Sequence, residues 1–236
     1  MIEIHQLTKS LHGGGHQVHI LNRIDLIIPT GQFLAITGAS GSGKTTLLSL
    51  MGGLDTPTSG SIKIDDRDIT QLDEDELAEL RSERFGFVFQ SFHLIPTLTA
   101  LENVVLAGEL AGTLDVANKA QDLLGTVGLK DRLHHYPAQL SGGEQQRLSL
   151  ARAFVNEPNI VLADEPTGNL DSQNSEQIVE LILELHQVKK ATIVLVTHEP
   201  HIAGKAQRIL TMEDGALTQD VLTSGDNSVF TDMNNP

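Results

Sequence analysis

Residues 38–45, Gly-Ala-Ser-Gly-Ser-Gly-Lys-Thr, have the types and spacing of a phosphate-binding loop. Glycines let successive backbone N–H groups converge on phosphate oxygens, and the N-terminus of a following helix adds a favourable dipole. In this pattern we expect Lys44 to reach the β- and γ-phosphates of a nucleotide, and the Thr45 hydroxyl to bind Mg²⁺. The alternative is an ordinary Gly/Ser turn. The apolar run before the loop and the helical pattern after it favour the nucleotide site.

Two adjacent acids, Asp164 and Glu165, follow the apolar run 159–163. As a strand of a parallel sheet, that run would deliver both carboxylates to the edge at which such sheets bind ligands. There Asp164 can hold Mg²⁺ through water, and Glu165 can orient and deprotonate an attacking water. Alone, such a pair is more often a solvated strand end. Beside a phosphate-binding loop, it predicts a nucleoside triphosphatase.

A second candidate anion site lies at Ser141, Gly142, Gly143 and Glu144. The simplest interpretation is a capping box, in which Ser141 caps an amphipathic helix and Glu144 reaches back to it. That interpretation does not explain the two glycines, because glycine costs about 1 kcal/mol per residue in a helical turn. We therefore expect a backbone that approaches a ligand closely, at a helix N-terminus able to bind an anion.

Strand-like runs alternate with helical patterns along most of the chain, which predicts an α/β fold with a mainly parallel sheet. Strands are expected at 18–28, 33–37, 61–64, 85–89, 159–163, 192–197, 208–212 and 216–220, and helices at 44–51, 73–84, 99–111, 115–127, 144–156 and 175–188. The stretch 91–158 has only helical patterns, so we expect an inserted α-helical subdomain there. A domain over 1–221 would be followed by a polar tail, 222–236.

The chain of 236 residues has 16 Lys and Arg against 31 Asp and Glu, a formal charge of −15. Such acidity argues against a general nucleic-acid surface, because basic stripes bind phosphate backbones. No run approaches the roughly 20 apolar residues of a membrane helix, and we expect no signal peptide. The absence of cysteine excludes disulfides and thiolate sites and fits a reducing compartment such as the cytosol.

The phosphate-binding loop, Gln90, the segment 140–144, the run 160–165, Asn169-Leu-Asp171 and His198 together resemble the ordered motifs of ABC transporter ATPases. The resemblance spans residues 2 to about 220. It implies a P-loop NTPase core of the RecA-like type, an N-terminal antiparallel β subdomain and an inserted α-helical subdomain. It also implies that two subunits sandwich two ATP molecules, each phosphate-binding loop facing the partner's Ser-Gly-Gly.

By position, the resemblance implies a role for each site residue. The ATP-binding residues would be Gly38, Ala39, Ser40, Gly41, Ser42, Gly43, Lys44, Thr45, Thr46, Ser141, Gly142, Gly143, Glu144 and Asp171. The Mg²⁺ site would comprise Thr45, Gln90 and Asp164, and the catalytic group Glu165, His198, Lys44 and Gln90.

These implied roles reach beyond a single chain. The segment 141–143 would contact the γ-phosphate bound by the partner subunit, and Asp171 would bridge the two sites. His198 would contact the γ-phosphate and support Glu165, while Gln90 would sense Mg²⁺ and the attacking water and relay the state to a membrane partner.

Segments 53–60, 87–90 and 163–171 narrow the resemblance to the branch containing LolD, MacB and FtsE, and 89–104 with 137–147 are closest to its YbbA type. That branch implies an ATPase homodimer driving a separate integral-membrane permease of the YbbP, MacB or LolC/LolE type, for export or extraction of lipids, lipoproteins or hydrophobic compounds. The chain would be cytoplasmic and peripheral on the inner membrane, which it would touch only through the permease. Nucleic acid is not expected as a partner. The permease's coupling helix would dock on the apolar segment 92–98.

The phosphate-binding loop also occurs in proteins with three other functions. A P-loop small-molecule kinase would need an acceptor site, and a non-transport ABC ATPase acting on DNA or ribosomes would bring tandem halves or coiled-coil arms. A switch that binds ATP without hydrolysing it is disfavoured by Glu165 and His198.

Two N-terminal features complete the sequence-based expectations. Leu11 stands where the family usually has an aromatic that stacks on adenine, so we expect weak discrimination between ATP and GTP. His12, His16 and His19 surround three glycines, and we expect a loop there rather than a metal site.

Overall fold

The computed structural model describes residues 1–13 and 16–223. Its strands are β1 (Ile2–Gly13), β2 (His16–Ile28), β3 (Phe33–Gly38), β4 (Ser59–Ile64), β5 (Arg67–Asp68), β6 (Phe85–Phe89), β7 (Ile160–Asp164), β8 (Thr192–Val196), β9 (Arg208–Glu213) and β10 (Ala216–Leu222). Its helices are α1 (Lys44–Met51), α2 (Glu74–Arg84), α3 (Ala100–Leu110), α4 (Val116–Thr126), α5 (Gly142–Phe154), α6 (Ser172–Lys189) and α7 (Pro200–Ala203), and short 3₁₀ turns lie at Ile69–Gln71, Lys130–Arg132 and Pro137–Gln139.

Two sheets form the α/β core. A six-stranded sheet has the order β10-β9-β3-β8-β7-β6, and its strands are parallel except for β10, which pairs antiparallel with β9. The central strand β8 is buried along its whole length, as expected for a parallel strand covered on both faces. An antiparallel sheet, β2-β1-β4-β5, forms the N-terminal part. The expected fold class, a parallel core with an N-terminal antiparallel sheet, is confirmed.

The parallel core brings the site segments together. The loop after β3 and the acids at the end of β7 lie at the carboxyl ends of strands in one sheet. In open α/β sheets ligands bind at this edge. The register pairs Ile36 of β3 with Val196 of β8, and Asp164 of β7 with the same Val196. The ends of β3, β7 and β8 are therefore level.

Helices replace strands between residues 91 and 158, a stretch that is described throughout. Helices α3, α4 and α5 share a hydrophobic cluster of their own, whose buried members are Ala100, Val104, Ala120, Leu124, Val127, Leu129, Leu140, Leu148, Ala151 and Val155. One face of α5 thus packs on helices, while Leu150 and Phe154 of the same helix belong to the core of the parallel sheet. The domain bounds given above stay a prediction.

Several expected boundaries were wrong. Helix α5 begins at Gly142 rather than Glu144, and α6 begins at Ser172 rather than Ser175, because Asp171 caps it by accepting a hydrogen bond from the Asn174 backbone N–H. On α6, Val188 is 69% exposed, whereas Val179 is buried.

The N-terminal hairpin also differs from expectation. Strand β1 was not predicted, because its apolar residues alternate with polar ones only loosely and its register with β2 shifts several times. Strands β1 and β2 include His12 and His16, so the expected loop was wrong at these two residues, while residues 14–15 lie outside the described part of the chain. His19 lies in β2, within the expected strand 18–28.

The expected C-terminal tail began at residue 222, but Leu222 is the last residue of β10. Residues 224–236 lie outside the described part of the chain. Over residues 1–13 and 16–223, no helix is both long and apolar enough to cross a bilayer.

Candidate nucleotide site

The loop between β3 and α1 has a backbone that only glycine accepts. Gly38 has φ +144° and Gly43 has φ +99°. A Cβ at Gly38 would overlap the Met212 carbonyl oxygen, and one at Gly43 would lie 2.8 Å from Leu21 Cδ2 and 2.9 Å from the Ile20 oxygen. Strands β2 and β9 therefore enclose the loop. Ala39, Ser40 and Gly41 of the loop are exposed, so this part of the loop is open to a phosphate.

The polar side chains of the loop point to an anion. Lys44 is 6% exposed, and its Nζ donates to the carbonyl oxygens of Gly38, at 2.9 Å, and Ala39, at 2.8 Å. The cation is thus held by neutral acceptors of its own loop. Ser42 Oγ is buried and has no hydrogen-bond partner among residues 1–13 and 16–223, and the N-cap Gly43 has no side chain to satisfy the first turn of α1. Such a turn is a favourable place for a phosphate.

The residues expected at the metal site lie side by side. The exposed Thr45 hydroxyl donates to Asp164 Oδ1 at 3.2 Å. Burial raises the pKa of the Asp164 carboxyl above its ordinary value, although the hydrogen bond from Thr45 and the charge of Lys44 oppose the shift. One carboxylate and one hydroxyl beside a phosphate cradle are ligands that Mg²⁺ accepts, since it usually keeps several waters and binds substrate phosphates. These residues fit a magnesium nucleotide.

Glu165 lies one residue beyond Asp164 and turns back toward β8. Its φ is +45°, and its backbone N–H donates to the Val196 oxygen at 3.0 Å. Glu165 Oε1 lies 3.4 Å from Nδ1 of His198, which follows β8. A non-glycine residue in this conformation is uncommon and marks strain that the surroundings must hold. The strained turn aims the carboxylate at the imidazole.

Gln90 is fastened to the segment after Glu165. Its Nε2 donates to Asn169 Oδ1 at 3.2 Å, and Asn169 Nδ2 donates to the Gln90 backbone oxygen at 2.9 Å. Gly168 allows this approach, because a Cβ there would lie 2.7 Å from Gln90 Nε2. Gln90 is thus linked to residues 168–169. Among the described residues, its side chain has no hydrogen bond with Thr45 or Asp164, although Phe89, the residue before it, pairs with Asp164 across β6 and β7.

The Ser141 region forms the expected capping box, and its second glycine has a packing role within this chain. Ser141 Oγ accepts from the Glu144 N–H at 3.3 Å and Glu144 Oε2 accepts from the Ser141 N–H at 2.8 Å, so the capping box is formed. Glycine at 143 is required by this chain itself, since a Cβ would overlap the Asn174 amide of α6. At Gly142 the nearest atom is Leu170 Cδ2, at an ordinary 3.6 Å. Packing against Asn174 is thus a reason for glycine at position 143 that the sequence did not show, and the contact of Gly143 with a nucleotide stays a prediction.

Several contacts near the site escaped sequence reasoning. The buried Thr167 donates from Oγ1 to Glu199 Oε1 at 2.8 Å, which joins the segment after Glu165 to the segment of His198. The backbone oxygen of Ser42 accepts a hydrogen bond from the Gly215 N–H at 3.1 Å, so the β9–β10 turn supports the phosphate-binding loop. The Asp-Gly pair at 214–215 is typical of a hairpin turn, but its contact with the loop cannot be inferred from the sequence.

Thr46 and Asp171 complete the sequence-predicted set. Thr46 lies in the first turn of α1, directly after Thr45. Asp171 is exposed, and its carboxylate is used by Asn174, whose backbone N–H and Nδ2 donate to it at 2.9 and 2.8 Å. These hydrogen bonds lower the pKa of the Asp171 carboxyl. In a single chain Asp171 therefore acts as a helix cap.

A scan against protein-family models matches residues 21–168 to the ABC transporter model. The match includes the phosphate-binding loop, the Ser141 region and the two acids, and it ends before His198.

Curated relatives match nearly the whole chain. The lipoprotein-releasing system ATP-binding protein LolD of Idiomarina loihiensis is 46% identical over 93% of this chain and 97% of its own length. The ABC transporter ATP-binding protein YvrO of Bacillus subtilis is 47% identical over 93% and 96%. The macrolide export ATP-binding/permease protein MacB of Wolinella succinogenes is 47% identical over 92% of this chain. This chain spans only 34% of that MacB, about a third.

The fold also matches solved structures. A dimeric post-hydrolysis state of the ATP-binding cassette MJ0796, bound to ADP and phosphate, has 40% identity and a TM-score of 0.89, covering 96% of this chain and 100% of the other. A second dimeric structure of the same cassette matches equally well, with a TM-score of 0.89.

Proposed function

The chain belongs to the ABC transporter family, as an ATPase cassette of the branch that includes LolD and MacB, and on this premise we propose that it hydrolyses magnesium ATP within a homodimer that drives a separate membrane permease. The observation that carries the proposal is the pairing at the end of β7. There Thr45 contacts Asp164 at 3.2 Å, and the next residue, Glu165, faces His198 at 3.4 Å. The narrower resemblance to YbbA-type members stays a prediction.

Binding of ATP falls to the phosphate-binding loop. Its backbone N–H groups and the N-terminus of α1 surround the β- and γ-phosphates. Lys44 exchanges the carbonyl oxygens of Gly38 and Ala39 for phosphate oxygens and so neutralises charge that grows during phosphoryl transfer. Thr45 and Asp164 would hold Mg²⁺, which would further neutralise the charge of the phosphate oxygens.

Hydrolysis relies on Glu165. Its carboxylate accepts a proton from the water that attacks the γ-phosphorus, while the bond from that phosphorus to the β–γ bridging oxygen breaks and leaves ADP. His198 fixes the carboxylate and reaches the γ-phosphate from β8. Gln90 is hydrogen-bonded to Asn169, so a movement of the segment after Glu165 on nucleotide binding or hydrolysis is transmitted through Gln90 to residues 92–98.

The second half of each site comes from another copy of the chain. Ser141 and Gly142 lie at the start of α5 with ordinary space around Gly142, and an uncovered helix N-terminus suits the γ-phosphate of the partner's nucleotide. The dimeric structures of MJ0796, at 40% identity, support this arrangement. Asp171 would then give up part of its hydrogen bonding to Asn174 and bridge the two copies.

The permease is proposed to dock on residues 92–98. This segment follows Gln90 and presents Ile95, which is 39% exposed, with Pro96 and Thr97 exposed beside it. LolD and MacB are named for lipoprotein release and macrolide export, so a lipid, lipoprotein or hydrophobic cargo chosen by the permease is the matching proposal. The chain would then be peripheral on the cytoplasmic face of the inner membrane.

The exchange Glu165→Gln tests the hydrolytic role. It should lower ATP turnover at least about a hundredfold, because a general base contributes roughly 10²–10⁴-fold. ATP should still bind and should drive a stable dimer, measured by size-exclusion chromatography with MgATP, because the change removes a negative charge beside the phosphates. Glu83→Gln, an exposed site on α2, is the matched control and should leave both measurements unchanged. Turnover at the wild-type rate in Glu165→Gln would contradict the proposal.

Docking is tested separately, by purifying the tagged chain from detergent-solubilised membranes of its own host. An integral-membrane protein should co-purify, and Ile95→Asp should remove it without changing ATP turnover of the isolated chain. Leu114→Asp, at an apolar residue outside the segment that is more exposed than Ile95 (85% against 39%), should retain it. Equal recovery with Ile95→Asp would move the docking surface elsewhere.

A further inference from the structure

Helix α5 connects the proposed γ-phosphate contact at its start with an arginine in its last turn. Its first residue, Gly142, lies at the proposed γ-phosphate contact, and Arg152 lies in its last turn. Ten residues of α-helix separate them, which corresponds to about 15 Å along the axis. Because a packed helix is stiff, its two ends move together.

Arg152 reaches from α5 to the start of the proposed docking segment. Its Nη2 donates to the Phe92 backbone oxygen at 2.8 Å, and its Nη1 donates to the His93 oxygen. The planar guanidinium binds two neighbouring carbonyls at once, a two-pronged geometry that a lysine cannot reproduce. Both acceptors belong to the turn that directly follows Gln90.

The turn that Arg152 binds is strained. Phe92 has φ +60° and His93 has φ +49°, a left-handed conformation that non-glycine residues adopt at a cost. Successive left-handed residues turn their carbonyls toward the same side, and Arg152 satisfies both. No carboxylate lies within ion-pair distance of Arg152 in the described part of the chain, and burial lowers the pKa of its guanidinium. The cation is therefore committed to this turn.

The rest of the segment is fixed to a neighbouring helix. Asn103 of α3 is 2% exposed, and its Nδ2 donates to the oxygens of Ile95, Leu98 and Thr99 at 3.1, 3.0 and 2.9 Å. Its Oδ1 accepts from the Ile95 N–H at 2.8 Å. Helix α3 shares a hydrophobic cluster with α5. Residues 92–98 are thus attached to the helical layer at both ends.

We propose that Arg152 is a positioning residue that makes residues 92–98 move with α5. A nucleotide bound at the start of α5 then displaces the surface on which the permease docks. The inference rests on the proposed function. Gln90 couples the segment to residues 168–169 and Asn103 couples it to α3, whereas the Arg152 fork couples it directly to α5, the helix that begins at Ser141 and Gly142. The segment then responds to the partner copy's nucleotide through α5.

The chain has no cysteine, so a single Thr97→Cys carries an environment-sensitive fluorophore at a unique, exposed position. In the Glu165→Gln background, MgATP should change the emission of this label. Adding Arg152→Gln should reduce the change at least fivefold, while ATP binding and ATP-driven dimerisation stay within twofold. Arg152→Lys should behave like Arg152→Gln, because the fork and not the charge is needed. Arg147→Gln, the same change on the same helix, should keep the full signal.

Each contrary outcome is decisive. Full amplitude in Arg152→Gln or Arg152→Lys overturns the role of the fork, and so does a label at Thr97 that never responds to MgATP. Loss of ATP-driven dimerisation in Arg152→Gln would assign Arg152 to the nucleotide site instead and would also overturn the proposal. Failure of the proposed function looks different, because Glu165→Gln would then keep hydrolysing ATP. Matching thermal unfolding of the Arg152 and Arg147 variants excludes a folding defect as the cause.

Discussion

Gly143 and Asn174 meet so closely that a methyl group at position 143 would lie within 3.0 Å of both Oδ1 and Cγ of the Asn174 amide. The amide cannot simply swing away, because its Nδ2 donates to Asp171 Oδ2 at 2.8 Å. The start of α5 and the start of α6 are therefore locked against each other. The residue proposed to meet the partner's γ-phosphate, Ser141, thereby takes its position from the segment after Glu165.

Gly143→Ala should destabilise the chain by about 1–3 kcal/mol, the usual cost of overpacking. Denaturant unfolding measures this loss. Gly142→Ala is the matched control, since its nearest neighbour is at 3.6 Å, and its stability should stay within about 0.5 kcal/mol of the wild type. Combining Gly143→Ala with Asn174→Ala should recover most of the loss. Equal losses from the two glycine variants would argue that the Asn174 contact is unimportant.

Thr167→Val should weaken both stability and turnover. The hydroxyl donates to Glu199 Oε1 at 2.8 Å, and leaving that acceptor without its partner costs about 1–3 kcal/mol. Because Glu199 is next to His198, ATP turnover should fall at least about tenfold, equivalent to about 1.4 kcal/mol of barrier. Thr167→Ser keeps the donor and should restore turnover. A turnover number in Thr167→Val equal to that of Thr167→Ser would rule out a role for this hydrogen bond in catalysis.

The Glu144 carboxylate should contribute to stability in a pH-dependent way. The hydrogen bond from the Ser141 backbone N–H, helped by Arg132, lowers the pKa of Glu144 in the folded chain. A lowered acid pKa stabilises the fold above the unfolded pKa, about 4.3 for glutamate, and this contribution is lost as the pH falls through the folded pKa. The wild type should therefore exceed Glu144→Gln in unfolding free energy near neutral pH, and the gap should close on acidification.

Urea unfolding of both chains across that range measures the gap. Glu83→Gln, at an exposed site, serves as the control and should track the wild type. A gap that stays constant on acidification would show that Glu144 acts only through the shape of the capping box.

The base of the nucleotide should be bound with little selectivity. Leu11 is 53% exposed on β1 and pairs with Val18 of β2, which is 55% exposed, so an aliphatic pair stands at the usual aromatic position. Leu11→Tyr should raise affinity for ATP and GTP alike, since base stacking is worth about 1–3 kcal/mol and tolerates any base. Competition binding with both nucleotides measures this. A preference of the wild type for ATP above a hundredfold would contradict the prediction.

Short, contiguous motifs can be identified from the amino-acid sequence alone. Residues 38–45, Asp164 and Glu165 each have a local reason for their types, because a strand, a tight turn and a helix start are encoded within a few residues. The same holds for α1, which runs over Lys44–Met51 as expected, and for the Ser141 capping box. The predicted helix boundary was wrong where the N-cap residue was overlooked, as at Asp171. Strand β1 was not predicted because its irregular register disturbs the alternation of apolar and polar residues.

Only the tertiary structure decided which of these pieces touch. Gln90 binds Asn169 across 79 positions, Thr167 binds Glu199 across 32, and Arg152 binds Phe92 across 60. No local periodicity encodes such contacts, because they depend on how the sheet and the helical layer pack. The motif residues predicted a nucleotide chemistry by their types alone. The reason why Gly143 must be glycine, and the link between α5 and residues 92–98, follow from packing that brings distant segments within hydrogen-bond distance.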